Sequence, residues 1–397
     1  MRIGIEGQRL FRSKKHGMDF VALRMIKKLQ EIDRENQYCI FVRPGEDDTC
    51  LQETENFKIV EVPASSYPSW EQIALPRAVK RHRIDILHCT SNTAPLFLSV
   101  PVILTLHDII YLEAKRGTSK QTSLYQRFGN LYRKWIVPKI AGSCSTIITV
   151  SNFEKEQIEK RLKLSDSKVK VVYNGVGENF RPEFDDQKLA DIRAGYGLPD
   201  DFILFLGNTD PKKNLQGVLK AYARYCSQAE SILPLAIVDL APETLAAVLK
   251  EIGHSELAEN IKLLGYVQNS DLPAIYSLCR LFLYPSLRES FGLPIVEAMA
   301  CGAPVITSNT SSMPEIADDA AMLVDPTEPG QIAQAISLLL NDENAREAQI
   351  ASGYRRAARF SWTETAEQAL HIYNDHQKQN EIHEALQKSP VQSAVYN

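Results

Sequence analysis

Short apolar runs alternate with helical patterns from one end of this chain to the other. In the first half the runs are Arg2–Glu6, Tyr38–Val42, Lys58–Val62, Ile84–His88, Val102–Leu106, Thr146–Val150 and Val169–Val172. In the second they are Phe202–Leu206, Leu235–Val238, Ile261–Leu264, Leu281–Tyr284, Val305–Thr307 and Met322–Val324. Helical patterns such as Asp19–Ile32 and Glu154–Leu164 separate many of them. A strand wetted on one side alternates apolar with polar residues, and these runs do not. They predict parallel strands buried on both faces, an α/β fold with helices covering the sheets. Two successive sets in 397 residues predict two doubly wound, Rossmann-like domains over 1–180 and 199–360. The polar segment Asn179–Pro199 is the expected seam. Ser361-Trp-Thr-Glu364 is a capping-box pattern that opens a helix through about His376. The second domain is complete by then, so this helix is expected to cross back to the first, leaving 377–397 as a polar tail.

Composition narrows the class. Hydrophobic residues make up 44% and charged residues 24%, as in a globular protein. No apolar run approaches the roughly 20 residues of a membrane span. The chain starts on a strand pattern rather than a charged-then-apolar leader, so a cytoplasmic location is expected. Seven scattered cysteines without a C-x-x-C pair fit reduced core residues. The net charge of −4 hides an asymmetry. Residues 1–180 hold 28 Lys and Arg against 20 Asp and Glu, net +8, and the remainder carries −12. Opposite-signed surfaces need no special partner. The functional reading is a basic first half that meets a phosphorylated acceptor or touches an anionic membrane surface peripherally, at the inner face. Nucleic acid is not expected, because the basic residues are diffuse and lack an aromatic-basic motif.

In parallel sheets, ligands collect past the carboxyl ends of the strands. The run Ser286–Ser308 is the most informative such segment. Pro294 suits the first turn of a helix, and Gly302 suits the residue past its end. Glu289 is then on the loop before the helix and Glu297 in its first turn. The helix start offers N–H groups and a partial positive charge. Two carboxylates around an anion-ready helix suit a ligand with both phosphates and hydroxyls. Carboxylates eight apart are ordinarily solvated. Here Phe291, Leu293, Ile295 and Val296 imply a packed element, and a buried carboxylate needs hydrogen-bond donors.

Other strand ends carry weaker signals. Lys212 and Lys213 precede the helix Leu215–Ser227, where a cation is unfavourable without a nearby anion. Cations there would stabilise a leaving diphosphate. His107 and Asp108 follow a buried strand; the plain reading is a satisfied structural histidine, and the functional one a group that holds a sugar. Gly17, ahead of the helix Asp19–Ile32, allows close backbone approach. No G-x-G-x-x-G follows the first strand, against a dinucleotide dehydrogenase. All these loops would face a common cleft if the domains face each other.

These residues carry a resemblance. The spacing Glu289…Glu297 within Glu-Ser-Phe-Gly-Leu-Pro-Ile-Val-Glu-Ala-Met-Ala-Cys-Gly-Ala-Pro-Val resembles the signature of the family 4 glycosyltransferases, retaining enzymes of GT-B fold. Gly265-Tyr-Val267, Tyr284-Pro-Ser286, Met313-Pro-Glu-Ile316 and Leu323-Val-Asp-Pro326 match its surroundings. The likeness is dense over 200–330 and thinner through His107-Asp108, Val172–Val176 and Phe360-Ser-Trp362. It implies two Rossmann-like domains facing a central cleft, and a hexose moved from a nucleotide sugar to a glycan or lipid-linked acceptor in polysaccharide, glycolipid or glycoconjugate synthesis. Glu289 would hold the transferred sugar, and Glu297 the ribose hydroxyls. Lys213, with Lys212, would neutralise the diphosphate. N–H groups at Phe291, Gly292 and Leu293 would complete the phosphate cradle, His107 would touch the sugar, and Tyr266 and Val267 would border the base. No metal and no cofactor are expected beside a GDP- or UDP-linked donor. The phrase Ser308-Asn-Thr-Ser-Ser-Met-Pro-Glu315 looks like that of mannosyltransferases with a guanosine donor.

Three positions depart from the family pattern. Asn208 stands where Arg often follows the phosphate-loop glycine. Ser290 stands where Gly is common. Gly17 is preceded by His16 instead of a second glycine. Two rival readings follow: a non-catalytic sugar-nucleotide-binding subunit, and a nucleotide-sugar epimerase on the same architecture.

Overall fold

The protein's structure, a computed structural model, describes residues 1–15, 17–113, 124–207 and 209–388. His16 and Asn208 lie outside the described residues. The chain divides into two units. The first gathers Met1–Val150, Glu154–Tyr173 and the chain from Trp362 onward; the second gathers Ser151–Phe153 and Asn174–Ser361.

The first unit holds a seven-stranded sheet of β1 (Arg2–Glu6), β2 (Gln37–Val42), β3 (Phe57–Glu61), β4 (Ile86–Cys89), β5 (Val102–Thr105), β6 (Thr146–Thr149) and β7 (Val169–Val171). Its order is β3-β2-β1-β4-β5-β6-β7, and every pair is parallel. The absence of polar alternation has a direct cause. Ile103 and Ile148 enter the apolar layer on one face, while their neighbours Leu104 and Ile147 enter the layer on the other. The first face is covered by the helices Gly17–Ile32 and Trp362–Lys388. Tyr373 of the last helix bonds His88 Nδ1 at 2.6 Å, and Thr105 Oγ1 lies 2.7 Å from His88 Nε2. Burial pushes this imidazole down to about 3, so it stays neutral.

The last helix runs to Lys388, not to about His376. Its continuation is rich in strong helix formers and contains no Gly or Pro before Pro390. Gln377 also donates to Glu381 one turn on, at 2.9 Å.

The second unit repeats the design with β8 (Ile203–Leu206), β9 (Leu235–Val238), β10 (Ile261–Gly265), β11 (Leu281–Tyr284), β12 (Val305–Ser308) and β13 (Met322–Val324). The order is β10-β9-β8-β11-β12-β13, all parallel. Ile203 and Phe205 face one apolar layer and Leu204 the other. In each sheet the winding reverses once, between β1 and β4 and between β8 and β11. Such a reversal splays the loops apart and leaves a crevice at the carboxyl edge.

Candidate functional site

The loops after β8 and β11 meet at the reversal of the second sheet. They are stitched together by backbone and amide bonds. Leu287 N donates to Lys212 O at 2.7 Å, and Asn214 Nδ2 donates to Pro285 O at 3.0 Å and Pro326 O at 2.7 Å. This stitching brings Lys213 to Glu289. Lys213 Nζ lies 2.7 Å from Glu289 Oε1, and both side chains are largely buried. Lys213 also donates to the Tyr284 hydroxyl and lies 4.6 Å from the centre of that ring. An ammonium has three donors, so one remains for a ligand.

Glu289 is 7% exposed. Burial opposes its charge, but the ammonium groups of Lys213 and Lys212, with hydrogen bonds from Lys213 and Ser286, hold the carboxyl below its ordinary range. It is therefore a fixed anion at neutral pH. Its backbone is pinned as firmly. Glu289 N donates to Ser311 Oγ at 3.0 Å, while Ser312 Oγ donates to Glu289 O at 3.0 Å and to Phe291 O at 3.1 Å. The serines of the Ser308–Glu315 phrase thus clamp the Glu289 loop. No pattern of periodicity marked them for that work.

The helix Leu293–Ala300 follows, with Pro294 in its first turn. Gly292 caps it with φ 99°, a conformation that suits glycine, and no side chain caps it. Pro294 has no N–H and Ile295 N donates to Gly292 O at 2.9 Å, so the N–H groups left to solvent or ligand at this start are those of Gly292 and Leu293. Glu297 lies in the second turn, not the first, because the helix begins at Leu293. It is part-exposed, yet enough protein surrounds it that burial pushes its carboxyl up to about 7. No described residue donates a hydrogen bond to it; Tyr276, Tyr284 and Cys301 lie within electrostatic reach. Tyr266, just past β10, is 73% exposed, and its neighbour Val267 is buried.

Two candidates belong to the first unit. His107 follows β5 and is buried. Its Nε2 lies 3.0 Å from Thr90 O, which fixes the proton on Nε2, and its backbone N donates to Asn92 Oδ1 at 2.7 Å. Burial lowers its pKa. A neutral, anchored imidazole fits the plain structural reading, and its Nδ1 edge can still accept a hydrogen bond. Gly17 opens the helix Gly17–Ile32 with open space around its Cα.

Comparison with known proteins bears on the family and the fold. Residues 16–179 match the family described as Glycosyltransferase Family 4, and residues 191–356 match Glycosyl transferases group 1. The O-antigen chain mannosyltransferase B of Escherichia coli is 30% identical over 58% of this chain and 61% of its own. The match thus spans less than two thirds of that relative. Two solved structures share the fold. The sucrose-phosphate synthase of Thermosynechococcus elongatus has a TM-score of 0.73 at 17% identity, over 95% of this chain and 99% of its own. Anabaena Alr3699/HepE in complex with UDP and glucose has a TM-score of 0.69 at 18% identity, over 94% and 99%. Two all-parallel Rossmann-like units, joined to sequence matches in both halves, make this chain a member of the family 4 glycosyltransferases, with the GT-B class of fold.

Proposed function

We propose that the protein transfers a hexose from a nucleotide-diphosphate sugar to an acceptor hydroxyl with retention of anomeric configuration. The observation that carries this is the Lys213–Glu289 pair beside a helix start without a side-chain cap, at the reversal of one sheet. The spare donor of Lys213 and the helix N–H groups suit the diphosphate, without a metal ion in this reading. Glu289 suits the sugar hydroxyls and the positive charge that develops at the anomeric carbon, and Glu297 suits the ribose. In the step, the sugar–phosphate C–O bond breaks and the acceptor oxygen bonds the anomeric carbon from the same face. The leaving diphosphate takes the acceptor's proton. Mannose is the favoured hexose, from the name of the E. coli relative; UDP, seen with the Anabaena protein, is the second donor type.

Thermal-shift screening of GDP- and UDP-sugars tests the donor, since a ligand at 100 times its Kd stabilises by about 2.7 kcal/mol. One nucleotide sugar is expected to raise Tm, and its labelled hexose to appear on an acceptor with the α or β linkage of the donor. Binding without transfer or hydrolysis across acceptors would favour the non-catalytic subunit. An epimer formed without acceptor would favour the epimerase.

The acceptor is proposed to be glycan or lipid-linked, met at the surface of an anionic membrane. No helix among the described residues is long and apolar enough to cross one. The helix Leu124–Ser143, however, exposes Phe128, Leu131 and Trp135 by 60%, 65% and 53%, at spacings of three and four residues. Lys139 lies 3.6 Å from the centre of the Trp135 ring, and Lys134 is exposed. An apolar stripe edged with lysines suits insertion at a lipid headgroup boundary. The protein is expected to co-sediment with phosphatidylglycerol vesicles, less so in high salt. Replacing all three apolar residues by Ser should cut that binding at least tenfold. Equal sedimentation of wild type and variant would remove this surface from the proposal.

A further inference from the structure

The loop that carries Glu289 has a support from far upstream in the chain. Ser151–Phe153 belong to the second unit, although the chain on either side of them belongs to the first. Ser151 is fully buried, and its Oγ donates to Ser290 O at 2.7 Å, across 139 positions of sequence. Phe153 offers its ring to Arg288, whose guanidinium carbon lies 4.6 Å from the ring centre. Arg288 in turn donates to Glu289 O at 2.9 Å. Both chain neighbours of Glu289 therefore lean on these three residues.

Glu315 fixes the three residues in turn. Its Oε1 accepts from Asn152 N at 2.7 Å and from Asn152 Nδ2 at 2.9 Å, and its Oε2 accepts from Phe153 N at 3.1 Å. Bonds to a carboxylate are charge-assisted and stronger than those between neutral groups. With three protein donors on it, this carboxylate is suited to hold other residues and not a substrate. Glu315 is carried by the helix Met313–Ala317, directly after the serines that clamp Glu289. Arg356 anchors that helix: it donates to Ile316 O at 2.9 Å and to Glu315 O, and it pairs with Asp318 at 3.3 Å. Arg356 also lies 5.1 Å from the centre of the Phe360 ring, which meets Phe291 edge-on at 5.6 Å. The chain of contacts closes on the loop it started from.

We propose that Glu315 is a positioning residue for Glu289, acting through Ser151 on the Ser290 carbonyl and through Phe153 on Arg288. A reacting group misplaced by about 1 Å can lose about 100-fold in rate, so the residues beside it need fixed partners. The effect on turnover rests on the transfer reading above; the support of the loop does not.

Hydrogen exchange of the full chain, read by mass spectrometry over residues 286–293, tests the support without any substrate. Glu315→Ala is expected to speed exchange of this segment by about tenfold, and Ser151→Ala by about threefold. Exchange in β8 should stay at the wild-type rate, which reports that each variant is folded. The double variant should exchange no faster than Glu315→Ala, because the two residues act in series. With the donor identified, Glu315→Ala should lower kcat by about tenfold and change the donor KM by less than about threefold. Glu315→Gln keeps an acceptor for both Asn152 donors and should recover part of that kcat. Wild-type exchange over 286–293 in both single variants overturns the support. Full kcat despite faster exchange, or effects that add in the double variant, overturns the positioning role. The expected exchange pattern in a protein that transfers no sugar speaks against the transfer reading alone.

Discussion

Glu289→Gln is expected to lower turnover by about 100- to 1,000-fold while the protein stays folded. The amide has the shape of the carboxylate and can still accept from Lys213, so the loops after β8 and β11 keep their stitching. What it lacks is the negative charge beside the reacting carbon. Lys213→Met should behave differently. It leaves the Glu289 carboxylate buried without its main partner, and losing one side of a buried pair destabilises by about 3 kcal/mol. The sign with pH follows. The folded carboxyl sits below its usual 4.5, so the pair's stabilisation is present above that pH and is lost on acidification. Lys213→Met should flatten that acid limb, and adding Glu289→Gln to it should recover part of the lost stability. Kinetics with the identified donor, and denaturant melts at pH 4 to 8, check both arms. Full transfer activity in Glu289→Gln would end the catalytic assignment of this residue.

The pairing behind that expectation was out of reach of local sequence patterns. Lys213 and Glu289 are 76 residues apart, and what joins them is the strand order, which places β8 beside β11. The alternation of runs was legible because strands buried on both faces stay apolar throughout; Ile103 and Leu104 show both faces filled from one run. A cation ahead of the helix Leu215–Gln228 was expected to await an anion, and the protein's own carboxylate supplies one. The start of the next helix was read from Pro294, but its first residue is Leu293, set by the left-handed Gly292, which puts Glu297 at the fifth helical position, just past the first turn. Buried polar clusters were invisible. Glu71 accepts from Tyr132 Oη at 2.6 Å and Gln72 Nε2 at 2.7 Å, and Thr93 also donates to it. No spacing connects those positions.

Glu297 should make donor affinity depend on pH, and Glu297→Gln should abolish the dependence. In the free protein burial raises this carboxyl to about 7. It is therefore about one-tenth ionised at pH 6 and nine-tenths ionised at pH 8, by the ordinary titration relation. Two ribose hydroxyls donate best to the charged form, so affinity for a nucleotide sugar should rise by about tenfold across that range. A nucleotide sugar is the right probe, because both of its phosphates are esterified and neither titrates there. Stability of the free protein should run the other way. A raised carboxyl favours the fold below pH 4.5, and that advantage is lost as the pH climbs through 7. Glu297→Gln removes the penalty and should stabilise the free protein above pH 7 by about 1–3 kcal/mol, the lower end reflecting its partial exposure. The same substitution should weaken the donor at pH 8 by about tenfold. Opposite signs for stability and binding, from one atom pair, cannot come from general loosening of the unit. An equal pH slope of donor affinity in wild type and Glu297→Gln would place the ribose elsewhere.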